Sequence, residues 1–129
     1  MVRATLEGIT LNLRVILEAF EAQGAVIDGM RVIGGGAQGR LWRQIMADVY
    51  KKPILRPSLL AEATSLGAAL AGGIGVGLFS DWRIAETLTP IVDVVEPNAA
   101  AVPVYDRLYG TFNRCYEALA PLYDELAEF

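Results

Sequence analysis

The chain has 129 residues, 53% of them hydrophobic, which is the length of one domain with ample material for a core and excludes an intrinsically disordered polymer. Its formal charge of −4, from 15 acidic against 11 basic side chains, excludes a surface built to neutralise a nucleic-acid backbone. Histidine is absent and Cys115 is the lone cysteine, so histidine-based triads, histidine metal clusters and internal disulfides are all excluded, and the single thiol fits a reducing cytoplasm.

In chain order, Leu6, Ile9, Leu13, Ile16, Leu17 and Phe20 recur at steps of three and four, opposite Thr10, Arg14, Glu18 and Glu21. This predicts an amphipathic helix over 3–23, stopped by Gly24. No signal-peptide pattern opens the chain. Met30 to Ile33 is short, rich in β-favouring residues and followed by three glycines, which predicts a strand entering a tight turn. From Gln38 the helical spacing resumes through Leu41, Trp42, Ile45, Met46 and Val49 until Pro53, and Ile54-Leu55-Arg56 reads as a second strand.

A third helix is expected from Ala63 to Gly75, where Gly67, Ala68, Ala69, Ala71, Gly72 and Gly73 imply close approach to the sheet. The most apolar run, Leu66 to Phe79, has 14 residues and five glycines, short of the roughly 20 apolar residues of a membrane span. Trp82 to Leu88 supplies one or two helical turns, Ile91 to Val95 an extended piece ending at Pro97, and a final helix starts near Pro103 with a stripe from Tyr105 to Leu122. Strands alternating with helices predict an α/β fold with a small, mostly parallel sheet flanked by helices. Two or three strands make it incomplete, its edge to be covered by residues of a longer parent chain or by another copy of this one as a homodimer.

The chemical signal is Gly34-Gly35-Gly36-Ala37-Gln38-Gly39, after a strand and before a helix, where bare backbone amides and the positive end of the helix dipole meet and favour an anion. A tight turn with no ligand satisfies the same residues. So does the G-x-G-x-x-G spacing of a dinucleotide fold, with Arg56 placed for a 2′-phosphate, although a long helix precedes the strand and no acidic residue ends the second one. A P-loop is excluded because no Lys-Ser or Lys-Thr pair follows.

Three segments together resemble the FGGY carbohydrate kinase family: Arg3 to Ile9, Gly34 to Asp48 (GGGAQGRLWRQIMAD) and Glu62 to Phe79 (EATSLGAALAGGIGVGLF). Their order and spacing agree with the family, and the Leu-Trp-Arg-Gln-Ile-x-Ala-Asp run is most similar to its xylulokinase branch. The resemblance implies an incomplete ribonuclease H-like, actin-like ATPase domain, residues 1–129 being the C-terminal portion of the kinase's second domain. It further implies that ATP with Mg2+ gives its γ-phosphate to a sugar hydroxyl, a pentulose by the branch, with the catalytic aspartate and the sugar pocket lying upstream of the matched segment. The matched motif assigns the adenosine side of the cleft to this chain, with Gly36 and Ala37 packing their backbone against the nucleotide, Gly35 permitting the turn and Arg40 reaching the adenine or ribose. Gly39 stands where many relatives carry serine and Arg40 where several carry asparagine. The rival readings are a non-catalytic or truncated nucleotide-binding module and an NADP-binding oxidoreductase fragment. No catalytic residue, metal ligand, nucleic-acid partner or membrane partner is assigned to the chain.

Among the remaining residues, Arg14 is expected in a surface pair with Glu18, Trp42 in core packing, and Glu62 and Thr64 in capping of the third helix. Asp28, Asp48 and Asp81 show no paired-carboxylate spacing and are expected to be solvated, and Cys115 to be a buried, inert thiol.

Overall fold

The computed structural model describes residues 1–128. Helix α1, Val2–Ala22, is closed by Gly24, whose φ of 89° turns the chain back while its amide donates to the Glu21 carbonyl at 2.9 Å. Strand β1, Met30–Arg31, leads through a 3₁₀ turn, Gly35–Gln38, into α2, Arg40–Tyr50. Lys51, in the left-handed region at φ 57°, ends α2 two residues before Pro53. There follow β2, Ile54–Pro57; α3, Ala63–Gly75; α4, Ile84–Leu88; β3, Ile91–Val95; and α5, Val102–Leu126, with a proline in its first turn.

The sheet has the order β1-β2-β3, with β1 parallel to β2 and β3 antiparallel to it. The mostly parallel sheet read from the sequence is therefore a mixed one. After β2 the chain wanders through α3 and α4 on the side where β2 ends, so β3 enters there and runs back, pairing Leu55 with Val94 and Ile54 with Val95.

Helix α2 lies at the centre, with Ile45, Met46, Ala47, Val49 and Tyr50 buried between the sheet, α1 and α5. Ile54 and Val95 close the core from the sheet, and Leu11, Leu17 and Tyr105 from the helices. Burial of this kind is the main favourable term, at about 1.5–3 kcal/mol for each large apolar side chain.

On α1 the buried face is rotated from the expected apolar stripe. Thr10, Leu11, Arg14 and Leu17 are buried, while Ile9, Leu13, Ile16 and Phe20 are exposed, Phe20 at 58%. The reason is long-range: α2 and α5 offer this helix polar partners that its own periodicity does not reveal. Arg14 does pair with Glu18 at 2.8 Å, but it is buried, also donates to Asp106 at 2.9 Å, and lies 4.2 Å from the centre of the Tyr109 ring.

Other expectations are corrected in the same way. Asp48 is buried, its Oδ1 accepting from the Gln44 amide at 2.9 Å and the Asn98 backbone amide at 2.7 Å. Cys115 is exposed, because α5 runs past the body of the fold. The small residues Gly67, Ala68, Ala69, Ala71 and Gly72 of α3 are exposed and do not press on the sheet; of the group, only Gly73 is packed, where the Phe79 ring folds back so closely that a Cβ would sit 2.6 Å from it. Helix α3 has no side-chain cap from Glu62 or Thr64. Among the described residues, no helix is long and apolar enough to cross a membrane.

Asp106 holds α5 to the rest through Lys51 at 2.8 Å as well as Arg14. The Lys51 hydrogen bond leads in keeping its carboxyl below the usual aspartate range, Arg14 adding to it against partial desolvation. A depressed folded value means that this stabilisation is complete above the unfolded value of about 3.9 and fades as pH falls through the lower folded one. Urea unfolding across the acid range should therefore show a loss of stability that Asp106→Asn makes shallower, and an unchanged slope would remove Asp106 from the acid sensitivity.

Candidate nucleotide-binding turn

The glycine run is built by a division of labour among its residues. Gly34, and not Gly35, takes the left-handed conformation, with φ 79°, and its amide donates to the Leu60 carbonyl at 3.3 Å. Gly35 instead begins the 3₁₀ turn, in which the Ala37 amide donates to the Gly34 carbonyl at 3.1 Å. Gly36 lies over the Trp42 indole, and a Cβ there would stand 2.5 Å from the ring. Ala37 is buried with its methyl turned inward, while a Cβ at Gly35 or Gly39 would meet nothing within 4 Å.

Trp42 is half-buried packing material, and it is also tethered. Its Nε1–H donates to Thr10 Oγ1 at 3.0 Å, and that hydroxyl donates to the Leu6 carbonyl at 2.7 Å. The turn is thus fixed to α1 through α2. Gly39 precedes α2 in an extended conformation with no side-chain cap, so the amides of Arg40, Leu41 and Trp42 have no acceptor within the helix. These unpaired donors carry the positive end of the helix dipole to the open side of the turn.

The charge around this end is positive. Arg40 is exposed and, among the described residues, makes no hydrogen bond or ion pair. Arg43 is buried and paired with Asp93, and Arg56 Nε lies 3.9 Å from the same carboxylate. The Arg43 hydrogen bond leads in holding the Asp93 carboxyl below the usual range, with Arg56 and Arg40 adding to it. Two guanidinium groups thus meet at one carboxylate, and Arg40 adds a third positive charge to its surroundings. Arg56, the residue available to a 2′-phosphate in a dinucleotide fold, is engaged with Asp93 across the sheet.

The four residues assigned from sequence therefore stand differently. Gly35 and Arg40 face the open side, Gly36 is backed by Trp42, and Ala37 is inside. Thr10, Arg43 and Asp93 were not singled out. For Asp93 a signal existed: the alternation of Ile91 to Val95 turns Ile91, Asp93 and Val95 to the inner face. The turn offers donors and positive charge but no nucleophile or base, and the described residues hold no cluster of side chains able to bind a metal ion. Such an arrangement of donors suits an anion or a flat ligand.

Thr10→Val keeps the shape but strands the half-buried indole N–H, an expected loss of about 1 kcal/mol in chemical unfolding. Gly36→Ala forces a methyl against the indole, at an expected cost of about 1–3 kcal/mol that the double variant Gly36→Ala/Trp42→Leu should largely recover. Additive losses in that double-mutant cycle would mean that Trp42 is not what requires a glycine.

An apolar groove of about 240 Å³ adjoins the turn, lined by Ile33, Pro57, Leu59, Leu66 and Trp82 among others. Ile33 sits directly before Gly34, so the turn opens beside this groove and not into the packed core.

Residues 1–76 match the C-terminal domain of the FGGY family of carbohydrate kinases. The xylulose kinase of Staphylococcus epidermidis is 30% identical over 125 residues, covering 96% of this chain and 25% of that protein. The glycerol kinase of Myxococcus xanthus is 39% identical over 98 residues, covering 70% of this chain and 20% of that one. Among solved structures, the xylulose kinase of Rhodospirillum rubrum superposes with a TM-score of 0.75 at 31% identity, over 92% of this chain and 24% of that one. The gluconate kinase of Lactobacillus acidophilus superposes with a TM-score of 0.85 at 23% identity, over 98% of this chain and 25% of that one, a likeness of fold alone. The chain thus spans about a quarter of the length of these relatives. The fold is an incomplete domain of the actin-like ATPase class, and a kinase-family match over most of the chain displaces the oxidoreductase reading. On residues 1–76, the chain belongs to the FGGY family of carbohydrate kinases.

Proposed function

We propose that this chain supplies the adenosine side of the nucleotide cleft of an ATP-dependent sugar kinase, and that the γ-phosphate passes from ATP to a sugar hydroxyl only when the rest of the cleft is joined to it. The observation that carries this reading is the open mouth of α2: uncapped amides of Arg40, Leu41 and Trp42 beside bare Gly35 and Gly39, under a surplus of arginine charge. Gly35 and Gly36 offer their backbone to the base and ribose, Ala37 supports the turn from inside, and Arg40 extends toward the adenine or ribose edge.

Phosphoryl transfer asks a protein mainly for positioning and charge neutralisation, so a chain without histidine can take part by holding one end of the nucleotide. Magnesium finds no ligand cluster among the described residues. It is assigned to the nucleotide's phosphates and to protein outside this chain. The first strands of the domain, the whole N-terminal domain and the catalytic aspartate are likewise assigned to polypeptide beyond it. Xylulose is the favoured substrate, because the Leu41 to Asp48 run resembles the xylulokinase branch and the xylulose kinase of R. rubrum superposes at 31% identity over 92% of the chain.

Titration of the isotopically labelled chain with ATP should shift the amide resonances of Gly35, Gly36 and Arg40, with NADPH leaving them in place. Arg40→Ala should weaken the response without altering the unfolding midpoint, since the side chain is exposed. A coupled assay for ADP release with D-xylulose should show no turnover by this chain alone. Turnover would overturn the division of labour, and amides unmoved by ATP would remove the nucleotide reading.

A further inference from the structure

Hydrogen-bond donors crowd the mouth of α2, while the acceptors beside it are engaged. The amides of Arg40, Leu41 and Trp42 have no acceptor within the helix. Among the described residues, the exposed Arg40 side chain makes no hydrogen bond or ion pair. Against these donors, the Gly34 carbonyl accepts from the Ala37 amide at 3.1 Å and the Gly39 carbonyl from the Arg43 amide at 3.2 Å. The Asp93 carboxylate is paired with Arg43 and lies 3.9 Å from Arg56 Nε. Gln38, exposed in the turn, carries a carboxamide that both donates and accepts, and so favours neither kind of partner.

A guanidinium donates only, and it presents its N–H groups as a planar fork. The purine bases differ along the edge that such a fork meets. Adenine offers N7, an acceptor, beside the N6 amino group, a donor; guanine offers N7 beside O6, and both are acceptors. A fork of donors therefore closes two hydrogen bonds on guanine and one on adenine, whose amino hydrogens face the second N–H. A carboxamide has the opposite fit, donating to N7 and accepting from N6. Of the three arginines at this end of α2, Arg43 is buried in its ion pair and Arg56 is turned to Asp93 across the sheet. Arg40 is left to present the fork.

We infer that Arg40 sets the base preference of this turn, and that the nucleotide held best is a 6-oxopurine nucleoside triphosphate, GTP or ITP, ahead of ATP. Arg40 is the first residue of α2 and follows Gly39 directly, and the place of a Cβ on Gly35 or Gly39 meets nothing within 4 Å. A flat base lying against that bare backbone turns its edge, and not its face, to the neighbouring guanidinium. Guanine then brings two acceptors to a rim rich in donors, whereas adenine brings a further donor. The inference deepens the proposed function and rests on it: the turn, the phosphates and the transfer are the same, and the base is what changes.

The test titrates the isotopically labelled chain with GTP, ITP and ATP in turn, following the amide resonances of Gly35, Gly36 and Arg40. GTP should bind about tenfold more tightly than ATP. ITP, which keeps O6 and N7 and lacks the 2-amino group, should follow GTP. Arg40→Asn should weaken GTP and ITP and bring ATP level with them or ahead, at an unchanged unfolding midpoint, since the side chain is exposed. ATP binding as tightly as GTP to the wild-type chain would overturn the inference, as would an order that Arg40→Asn leaves in place. An equal loss for all three in that variant would also overturn it, making Arg40 a phosphate or ribose contact, and ITP following ATP would move the preference to the 2-amino group. The nucleotide reading is judged separately: amides that respond to none of the three sink both, whereas amides that respond alike to ATP and GTP sink the base preference and leave the nucleotide site standing.

Discussion

The contact between the Trp42 indole and Gly36 is the constraint on which the rest of the turn depends. The ring occupies the space of a side chain at Gly36, and its N–H is tied to Thr10, so the first turn of α2, the glycine run and α1 are fixed by one residue. Glycine at 36 is thus required from inside by packing, while Gly34 is required by its positive φ. The remaining glycines, 35 and 39, have no such internal reason: nothing approaches the place of their missing side chains. An internal explanation covers half of the run, and a ligand outside the chain is the economical explanation for the other half.

Helix α2 extends this logic. It is enclosed on nearly every side beyond its first turn, and the charges it carries inward are each answered: Asp48 by Gln44 and the Asn98 amide, Arg43 by Asp93. Breaking a buried pair leaves an uncompensated charge and is strongly destabilising, so these contacts fix how α2 sits on β2 and β3 more than they add net stability. Their arrangement is lopsided, since Arg43 and Arg56 share a single carboxylate and Arg40 adds a further positive charge near the free amides. The protein as a whole is acidic, at a formal −4, so this local surplus is set against the global balance. It makes the mouth of α2 attractive to an anion without making the whole surface so.

Much of this was legible in the residues where local rules suffice. The bounds of α3 and β3 follow from periodicity and punctuation, as does the halt of α1 at Gly24. What escaped was decided over long separations. Nothing within α1 tells that Thr10 and Arg14 will be buried; that depends on Trp42, Asp106 and Tyr109, between 32 and 95 positions away in the chain, and their polar groups turn the helix about its axis relative to its apolar stripe. The exposed stripe is then not a failure of amphipathic reasoning but its remainder, an apolar face left open once the polar contacts of the helix are made. The fate of Cys115 has the same origin, because a stripe on α5 predicts burial only as far as there is a body to pack against. The glycine turn was recognisable by its position between strand and helix, but the assignment of φ to Gly34 and of closeness to Gly36 needed the indole in place.

The two incomplete features of the chain meet in one strand. Backbone of β1 runs directly into Gly34, its other edge is free, and each of its faces borders a groove. A strand paired on one side only, two residues long, is a slight support for the turn that follows it. Pairing along the free edge would restrict the same backbone that sets the turn, and by linkage a ligand that favours the ordered turn would in equal measure favour the pairing. Order in the strand and binding at the turn would in this view be a single thermodynamic problem. The phosphoryl transfer proposed above gains chiefly from placement of the two reacting ends, and further order in this strand would serve that placement.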